Sequence, residues 1–267
     1  MVASAPVGEG TPWADHRFIF IGGVHRSGTS YTARVVASNS AISAFQDTGV
    51  QEDEGEHLQS VYPHSWEHGG MTRFAFRPEM HLTETSPLVS DRSRALLWEE
   101  WGHFWDRSKP VLLEKSPPNL MKMRFLQALF PRSAQVLVIR HPVSVVLSSL
   151  KWRTSVNGLF TAHRIIDHWL AANAIALADA PLIQRLYVMR YEDLVADQPA
   201  ELARLSESLE LSGEYAAEPL DPTRDARNFD EWRRLTERSR RRAYFRWIER
   251  RYESRIAPFG YSFHDGR

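Results

Sequence analysis

Residues 18–30 read FIFIGGVHRSGTS, and this stretch decides the fold. The apolar run from Phe18 to Ile21 predicts a strand that is buried on both faces. Two glycines and a hydroxyl-rich turn follow, and the run from Tyr31 to Ala37 predicts a helix after them. A strand, a glycine-rich loop and a helix in this order predict an anion site, because glycine allows close backbone approach and the first helical amides point at the anion.

Short apolar runs alternate with helical patterns along the rest of the chain. The other runs typical of buried strands are Val111–Leu113, Gln135–Ile139 and Leu186–Met189. The other helical patterns are Pro118–Phe130, Val143–Trp152, Arg164–Ala178 and Ala200–Leu209. This alternation predicts a single α/β domain over residues 17–267, with a parallel central sheet flanked by helices. Ligands bind such sheets beyond the carboxyl ends of the strands, so the residues that follow each strand are the candidates for function.

The composition is that of a soluble globular protein and excludes several kinds of site. The 267 residues include 33 basic and 33 acidic side chains, so no net charge attracts nucleic acid. Cysteine is absent, which excludes disulfides, thiolate zinc sites and cysteine nucleophiles. No run reaches the roughly 20 apolar residues of a membrane helix. Residues 1–16 lack the pattern of a signal peptide. We therefore expect a flexible lead over residues 1–16 and a cytoplasmic protein, with neither a membrane nor a nucleic acid as partner.

The loop after the first strand has the residues of a phosphate site that works without a metal. Its polar side chains are those of His25, Arg26, Ser27, Thr29 and Ser30. Gly23 and Gly28 have the spacing of a nucleotide triphosphatase loop, but Thr29 stands where that loop requires lysine. A strand that would end in a magnesium-binding acid ends instead in Arg140. A kinase-like phosphotransferase is therefore the weaker alternative, and we expect no metal.

A second group of anion-binding residues follows the strand Gln135–Ile139. Arg140 comes directly after the strand, and Pro142 suits the first turn of a helix. Ser144 and Ser148 lie four residues apart and therefore on one face of that helix. The arginine and the two hydroxyls predict a second phosphate cradle. The alternative is that both serines are buried helix residues without a ligand.

Four motifs of the chain, in this order, resemble those of the sulfotransferases that use 3'-phosphoadenosine-5'-phosphosulfate (PAPS). They are residues 25–30 (HRSGTS), residues 114–119 (EKSPPN), the pair Arg140 and Ser148, and residues 190–195 (RYEDLV). The second motif is similar to a segment of Golgi-type and tyrosylprotein sulfotransferases and of many bacterial relatives. The resemblance implies a P-loop-like sulfotransferase fold. It also implies metal-free, in-line transfer of the sulfuryl group from PAPS to a hydroxyl or amine, which releases adenosine 3',5'-bisphosphate (PAP).

The resemblance also implies roles for single residues. The residues expected to hold the 5'-phosphosulfate are His25, Arg26, Ser27, Gly28, Thr29 and Ser30, and those for the 3'-phosphate are Arg140 and Ser148. Lys115 resembles the lysine that stabilises the bridging oxygen, unless it is an ordinary surface lysine. Tyr31 and Tyr191 occupy adenine-side positions, with core packing as the alternative. Cytosolic members have lysine in place of Arg26 and a late Arg-Lys-Gly motif that is missing here. The candidates for that late basic contact are Arg240, Arg241 and Arg242.

The candidates for the general base lie in residues 45–82, a polar segment that we expect to form a long active-site and substrate excursion. They are Asp47, Glu52, Asp53, Glu54, Glu56 and His57. The family takes the acceptor proton with a glutamate or a histidine. Counted from Arg26, Asp47 falls near the glutamate of tyrosylprotein sulfotransferases, and Glu54 falls near that of heparan N-sulfotransferases. Glu54 and His57 are predicted to lie within one helical turn. We favour Glu54, then His57, then Asp47.

The segment 224–256 is rich in arginine and predicted to be helical. A solvated terminal helix explains this composition, and the alternative is a non-catalytic protein that binds nucleotide or nucleic acid. The segment lacks interleaved base-stacking motifs beyond Tyr244, Phe245 and Trp247. The acceptor stays open among a small molecule, a carbohydrate, a lipid and a peptide. The oligomeric state is equally open.

Overall fold

The computed structural model describes residues 12–151, 161–217 and 223–264. These residues contain a five-stranded parallel sheet in the order β2-β3-β1-β4-β5. The strands are β1 (Arg17–Gly23), β2 (Ile42–Ala44), β3 (Val111–Lys115), β4 (Ser133–Ile139) and β5 (Leu186–Arg190). All four predicted strands are confirmed. The edge strand β2 escapes the sequence pattern because three residues are too few to show a periodicity.

Helices flank the sheet, as the alternating pattern predicts. They are α1 (Thr29–Ala37), α2 (Asp91–Gly102), α3 (Met123–Leu129), α4 (Pro142–Lys151), α5 (Ala162–Asp179), α6 (Tyr191–Ala196), α7 (Gln198–Leu209), α8 (Thr223–Glu237) and α9 (Arg242–Ile256). The predicted helix Pro118–Phe130 divides at Lys122 into a 3₁₀ turn (Pro117–Met121) and α3.

Strand β1 lies at the centre of the sheet and is buried on both of its faces. Phe18 and Phe20 pack with the tryptophans of α2 on one face. Ile19 and Ile21 pack with apolar residues of α1 and α7 on the other, since successive side chains of a strand point to opposite faces. The carboxyl end of this central strand leads directly into the predicted phosphate loop.

The excursion over residues 45–82 consists of short 3₁₀ turns rather than a long helix. The turns are Gln51–Asp53, Gly55–Leu58, Gly70–Thr72, Phe74–Phe76 and Pro78–Met80. The helix predicted to begin near Glu54 is therefore a single 3₁₀ turn. Phe74 and Met80 are fully buried in the same cluster as residues of α5. This packing fixes the excursion above the carboxyl end of the sheet.

The C-terminal segment 224–256 is helical, as predicted, but it forms two helices, α8 and α9, separated by residues 238–241. Trp232 of α8 and Phe245 of α9 are buried, and their rings lie 5.2 Å apart. The interpretation as a solvated terminal helix is therefore wrong for one face of each helix. The apolar face completes the core, and many of the arginines lie on the exposed face.

The described part of the predicted N-terminal lead contacts the domain. Trp13 packs edge-on against Trp98, with ring centroids 6.4 Å apart. His16 Nδ1 lies 3.1 Å from the carbonyl oxygen of Lys109. Residues 1–11 lie outside the described residues, so the flexible lead stays a prediction for them. Among the described helices, none combines the length and the apolar content needed to cross a bilayer.

Candidate active site

The phosphate loop makes a tight turn between β1 and α1. The Ser27 amide donates to the carbonyl of Val24 at 3.0 Å, and Arg26 and Gly28 have positive φ angles of 69° and 98°. A Cβ at Gly28 would lie 2.2 Å from Cδ2 of Tyr191, so only glycine fits there. The Ser27 hydroxyl is buried and has no hydrogen-bond partner among the described residues. The chain thus folds into a close-fitting cradle at the start of a helix, as predicted for an anion.

Arg140 links the two predicted anion sites. It follows β4, is only 4% exposed, and donates from Nη1 to the carbonyl of Arg26 at 3.2 Å. Ser144 and Ser148 lie on α4, as predicted; Ser144 is buried and Ser148 is half-buried. Asn228 of α8 donates to the Ser144 hydroxyl at 3.3 Å. The structure therefore brings the end of β4 and α4 next to the phosphate loop.

The two predicted adenine-side tyrosines contact each other. Their rings lie 6.2 Å apart in an edge-on arrangement, and the Tyr31 hydroxyl donates to Gln198. Tyr31 is half-buried, whereas Tyr191 is 2% exposed between Gly28 and the Arg140 guanidinium, which lies 4.2 Å from its ring. Tyr191 thus packs directly against the phosphate loop. Its contact with adenine stays a prediction.

Lys115 ends β3 beside the phosphate loop, because the sheet register pairs it with Ile21 of β1. It is 5% exposed, so it is not an ordinary surface lysine. Its ammonium donates to Ser30 Oγ at 3.2 Å, to the Glu52 carbonyl at 2.9 Å and to Glu54 Oε1 at 3.0 Å. One buried cation therefore joins the loop to the favoured base.

Glu54 and His57 lie within one turn, as predicted. The Glu54 Oε2 and His57 Nε2 atoms are 3.7 Å apart. Burial raises the pKa of the Glu54 carboxyl to about 7, although the Lys115 ammonium opposes this shift. Burial also lowers the pKa of His57. At neutral pH the carboxyl is thus partly ionised and the imidazole is neutral, so either group can accept a proton.

Asp47, the third candidate base, lines a cavity of about 550 Å³ between α1 and residues 44–53. Lys115 and Ser30 also line this cavity, and Phe45 and Leu113 contribute apolar surface. Asp47 is exposed and has a positive φ of 52°. The structure places it on the same side of α1 as Lys115, in the wall of the cavity.

His25 lies against the base candidates. Burial lowers the pKa of its imidazole to about 3, with His168 and Lys115 adding to the effect, so the ring is neutral. Ligand-type atoms of His25, Glu54 and Glu56 lie within 4.8 Å of one another, a grouping of described residues that could hold a cation. Lys115 already supplies a positive charge 3.0 Å from Glu54. The expectation of no metal stays a prediction.

The late arginines lie at the turn between α8 and α9. Arg240 and Arg242 are exposed there. Asn228, in the second turn of α8, donates to Ser144 of α4. A role of Arg240, Arg241 and Arg242 at the 3'-phosphate stays a prediction.

The hydrogen-bond network of the site also includes Glu114 and Ser116, to which the sequence assigned no role of their own, and Glu56, a base candidate that was not among the three favoured. The Glu114 carboxylate accepts from the amide of Gly55 at 3.0 Å. Ser116 donates to that carboxylate at 2.6 Å and accepts from the Glu56 amide at 2.9 Å. A signal was present in the sequence, because the buried strand Val111–Lys115 ends in two charged residues, and a charge in a buried strand needs a partner.

Known proteins resemble this chain in sequence and in fold. The model of the sulfotransferase family matches residues 18–215. Protein-tyrosine sulfotransferase A of Caenorhabditis elegans is 24% identical over 198 residues, which cover 73% of this chain and 50% of that protein. The chain thus spans half the length of this curated relative.

Solved structures share the fold. The sulfotransferase domain from the curacin biosynthetic pathway aligns with a TM-score of 0.50 at 18% identity, covering 92% of this chain and 98% of that one. The sulfotransferase domain of the Synechococcus PCC 7002 olefin synthase aligns with a TM-score of 0.52 at 20% identity, covering 93% and 96%. Since the family model covers well over half of the chain, this protein belongs to the sulfotransferase family.

Proposed function

We propose that this protein transfers a sulfuryl group from PAPS to a hydroxyl or amine, with Glu54 as the general base. The observation that carries the proposal is the position of Lys115, whose ammonium contacts both Ser30 of the phosphate loop and Glu54. A cation at this point faces the negative charge that develops during transfer. Positioned charges of this kind supply most of the rate enhancement in related phosphoryl transfer.

The described residues fit a donor with phosphates at two positions. Arg26 and Arg140 bring positive charge to the ends of neighbouring strands, and the Ser27 hydroxyl is an unused donor under the loop. We assign the 5' side of the donor to the loop and the 3'-phosphate to Arg140 and Ser148. When bound, PAPS supplies a sulfuryl group activated by a phosphate leaving group.

Glu54 removes the proton from the acceptor. A carboxyl with a pKa near 7 is an efficient base at neutral pH, because it is ionised in part and still basic enough to take a proton. His57, 3.7 Å away, can pass that proton toward solvent, since its side chain is 18% exposed and that of Glu54 only 8%.

The cavity beside Lys115 is our candidate for the acceptor site. Phe45 and Leu113 offer apolar contact, and the charged lining is mixed: Asp47, Glu52 and Asp53 are acidic, whereas Arg34 and Lys115 are basic. With one carboxylate in excess, this lining admits an acceptor with an apolar body and a positive group. The name of the curated relative suggests a phenol as the nucleophile. A phenol that carries an amine, such as tyramine, is therefore the first acceptor to test.

Ligand-induced thermal shifts test the proposal against its alternatives. A ligand that binds only the folded state raises the melting temperature. We expect PAP to raise it without added metal, and we expect smaller shifts from ATP with Mg²⁺ and from a single-stranded oligonucleotide. Transfer of ³⁵S from labelled PAPS to tyramine completes the test. A shift with ATP and Mg²⁺ but none with PAP would contradict the proposal.

A further inference from the structure

Three successive residues at the end of β3 hold the segment that carries Glu54. Glu114 accepts from the Gly55 amide at 3.0 Å, and Ser116 accepts from the Glu56 amide at 2.9 Å. Between them, Lys115 donates to the Glu54 carboxylate at 3.0 Å. The segment therefore crosses the carboxyl end of the strand and is attached to it residue by residue.

Glu114 is the centre of this attachment. Its side chain is completely buried, yet it accepts from Ser116 Oγ at 2.6 Å, from Asn119 Nδ2 at 2.5 Å and from the Gly55 amide. Lys122, also completely buried, is close enough for its charge to act on Glu114. A fully buried carboxylate is costly unless it is paired and hydrogen-bonded. The three hydrogen bonds meet part of this cost and hold the carboxyl group in place, while burial still raises the pKa of Glu114.

Gly55 is fitted to Glu114. A Cβ at this position would lie 2.5 Å from Glu114 Cγ, so any larger residue would push the segment away from the strand. The opposite side of the same residue is also fixed, because Trp101 donates from Nε1 to the Gly55 carbonyl at 3.0 Å. The peptide next to Glu54 is thus clamped from two directions.

We propose that Glu114 is a positioning residue: by holding the Gly55 amide it fixes the Glu54 carboxylate beside Lys115 and the phosphate loop. This inference rests on the proposed function for the role of Glu54. Glu114 does not reach the acceptor in this arrangement, since its carboxylate is enclosed by Gly55, Ser116 and Asn119. Its effect on the reaction passes through the position and the charge of Glu54.

A matched control exists at another point where the excursion is attached to the domain. Glu100 of α2 accepts from the amide and the hydroxyl of Ser60, at 2.9 and 2.5 Å. It is therefore a carboxylate that attaches the excursion at a different point. If loosening the excursion were enough to lower the activity, substitutions at Glu114 and at Glu100 should have the same effect. If Glu114 positions Glu54, only the substitutions at Glu114 should lower it.

The test compares Glu114→Gln, Glu114→Ala and Glu100→Gln with the parent protein. Losing the hold on Gly55 should lower kcat for sulfuryl transfer to tyramine by about 10- to 100-fold in Glu114→Ala, since small misplacements of a catalytic group have effects of this size. The dissociation constant of PAP should stay within about twofold, because the donor contacts lie on β1 and β4. Glu100→Gln should match the parent in both measurements.

The pH profile separates positioning from a general loss of structure. The charged groups around Glu54 are Lys115, Glu56, Glu114, His57 and His25. Glu114 raises the pKa of Glu54 through its charge, so Glu114→Gln should move the acid limb of kcat/KM to lower pH. A limb that stays in place in Glu114→Gln, together with an unchanged kcat in Glu114→Ala, would overturn the proposal.

Hydrogen exchange gives a readout that needs no catalysis. The amides of residues 55–57 should exchange faster in Glu114→Ala and as slowly as in the parent in Glu100→Gln. Unchanged protection in Glu114→Ala overturns the positioning role, whatever the activity. Absence of PAP binding and of transfer in the parent protein would instead reject the proposed function.

Discussion

The Lys115 ammonium lies 3.0 Å from Glu54 Oε1, and the same nitrogen lies 3.2 Å from the Ser30 hydroxyl of the phosphate loop. The proposed base and the predicted phosphate loop therefore share one buried cation. This cation favours the ionised form of Glu54, and burial opposes it, which leaves the carboxyl with a pKa of about 7. The pair explains how a glutamate can act as a base at neutral pH and how its position is tied to the donor.

Replacing Glu54 by Gln should lower kcat by about 10²- to 10⁴-fold, the usual contribution of a general base. The amide keeps the shape of the side chain but cannot accept the proton. PAP affinity, measured by calorimetry, should change little. Glu79 is an exposed glutamate of the same excursion, so Glu79→Gln is the control and should have the kcat of the parent. A Glu54→Gln enzyme with the parent kcat would transfer the role to His57 or Asp47.

The pH dependence of kcat/KM should show an acid limb near pH 7. Below the pKa of Glu54 the carboxyl is protonated and inactive as a base, so the rate should fall about tenfold for each pH unit. Above pH 7 the carboxylate predominates, and the profile should level off. A limb near pH 4.5, the ordinary value of a glutamate, would show that a different group or an exposed carboxyl acts.

Replacing Lys115 by Ala should lower kcat and also move the acid limb to higher pH. The shift follows because Lys115 lowers the pKa of Glu54, and its removal leaves the effect of burial unopposed. PAP affinity should fall less than kcat, as expected for a group that acts mainly in the transition state. Lys109→Ala is the control, since the Lys109 ammonium donates to the Ser40 carbonyl and not to Glu54 or the phosphate loop. If the substitution lowered only the affinity for PAP and left kcat unchanged, Lys115 would have no role in stabilising the transition state.

Replacing Arg140 by Ala should weaken PAP binding by about 10- to 100-fold, the equivalent of about 1.5–3 kcal/mol for a hydrogen bond to a charged group. Binding of AMP, which lacks the 3'-phosphate, should weaken much less if Arg140 contacts that phosphate. Both affinities can be measured by calorimetry. An equal loss for both ligands would mean that Arg140 acts only by holding Arg26 and the loop.

Replacing Gly28 by Ala should destabilise the protein and abolish PAP binding, because the new methyl group would lie 2.2 Å from the Tyr191 ring. Gly49→Ala is a matched control. Gly49 also has a positive φ, of 83°, but a Cβ there meets nothing within 4 Å. Backbone strain of about 1–2 kcal/mol is common to both variants, so a larger fall in melting temperature for Gly28→Ala isolates the clash. Equal falls would contradict the fit between Gly28 and Tyr191.

Much of the fold is determined by local sequence pattern. The apolar run from Phe18 to Ile21 and the helix after it depend on periodicity within a few residues, so both are predictable. The edge strand β2 is not predictable in this way, because three residues are too few to show a periodicity. The break between α8 and α9 is not either, because it depends on how the apolar faces of the two helices pack. The arginine-rich composition of the segment 224–256 obscures the apolar pattern of its two helices, whose buried faces are seen only in the folded core.

The sequence by itself determined the phosphate loop, Lys115 after its strand, Arg140 after the next, and Glu54 as a candidate base, because residue type and position relative to a strand suffice for these. Only the tertiary structure decided that Lys115 contacts Glu54 and that Glu114 holds Gly55, contacts that join residues about 60 positions apart. It also decided the proton affinity of Glu54. That affinity depends on burial and on neighbouring charges, which the order of residues along a chain does not specify.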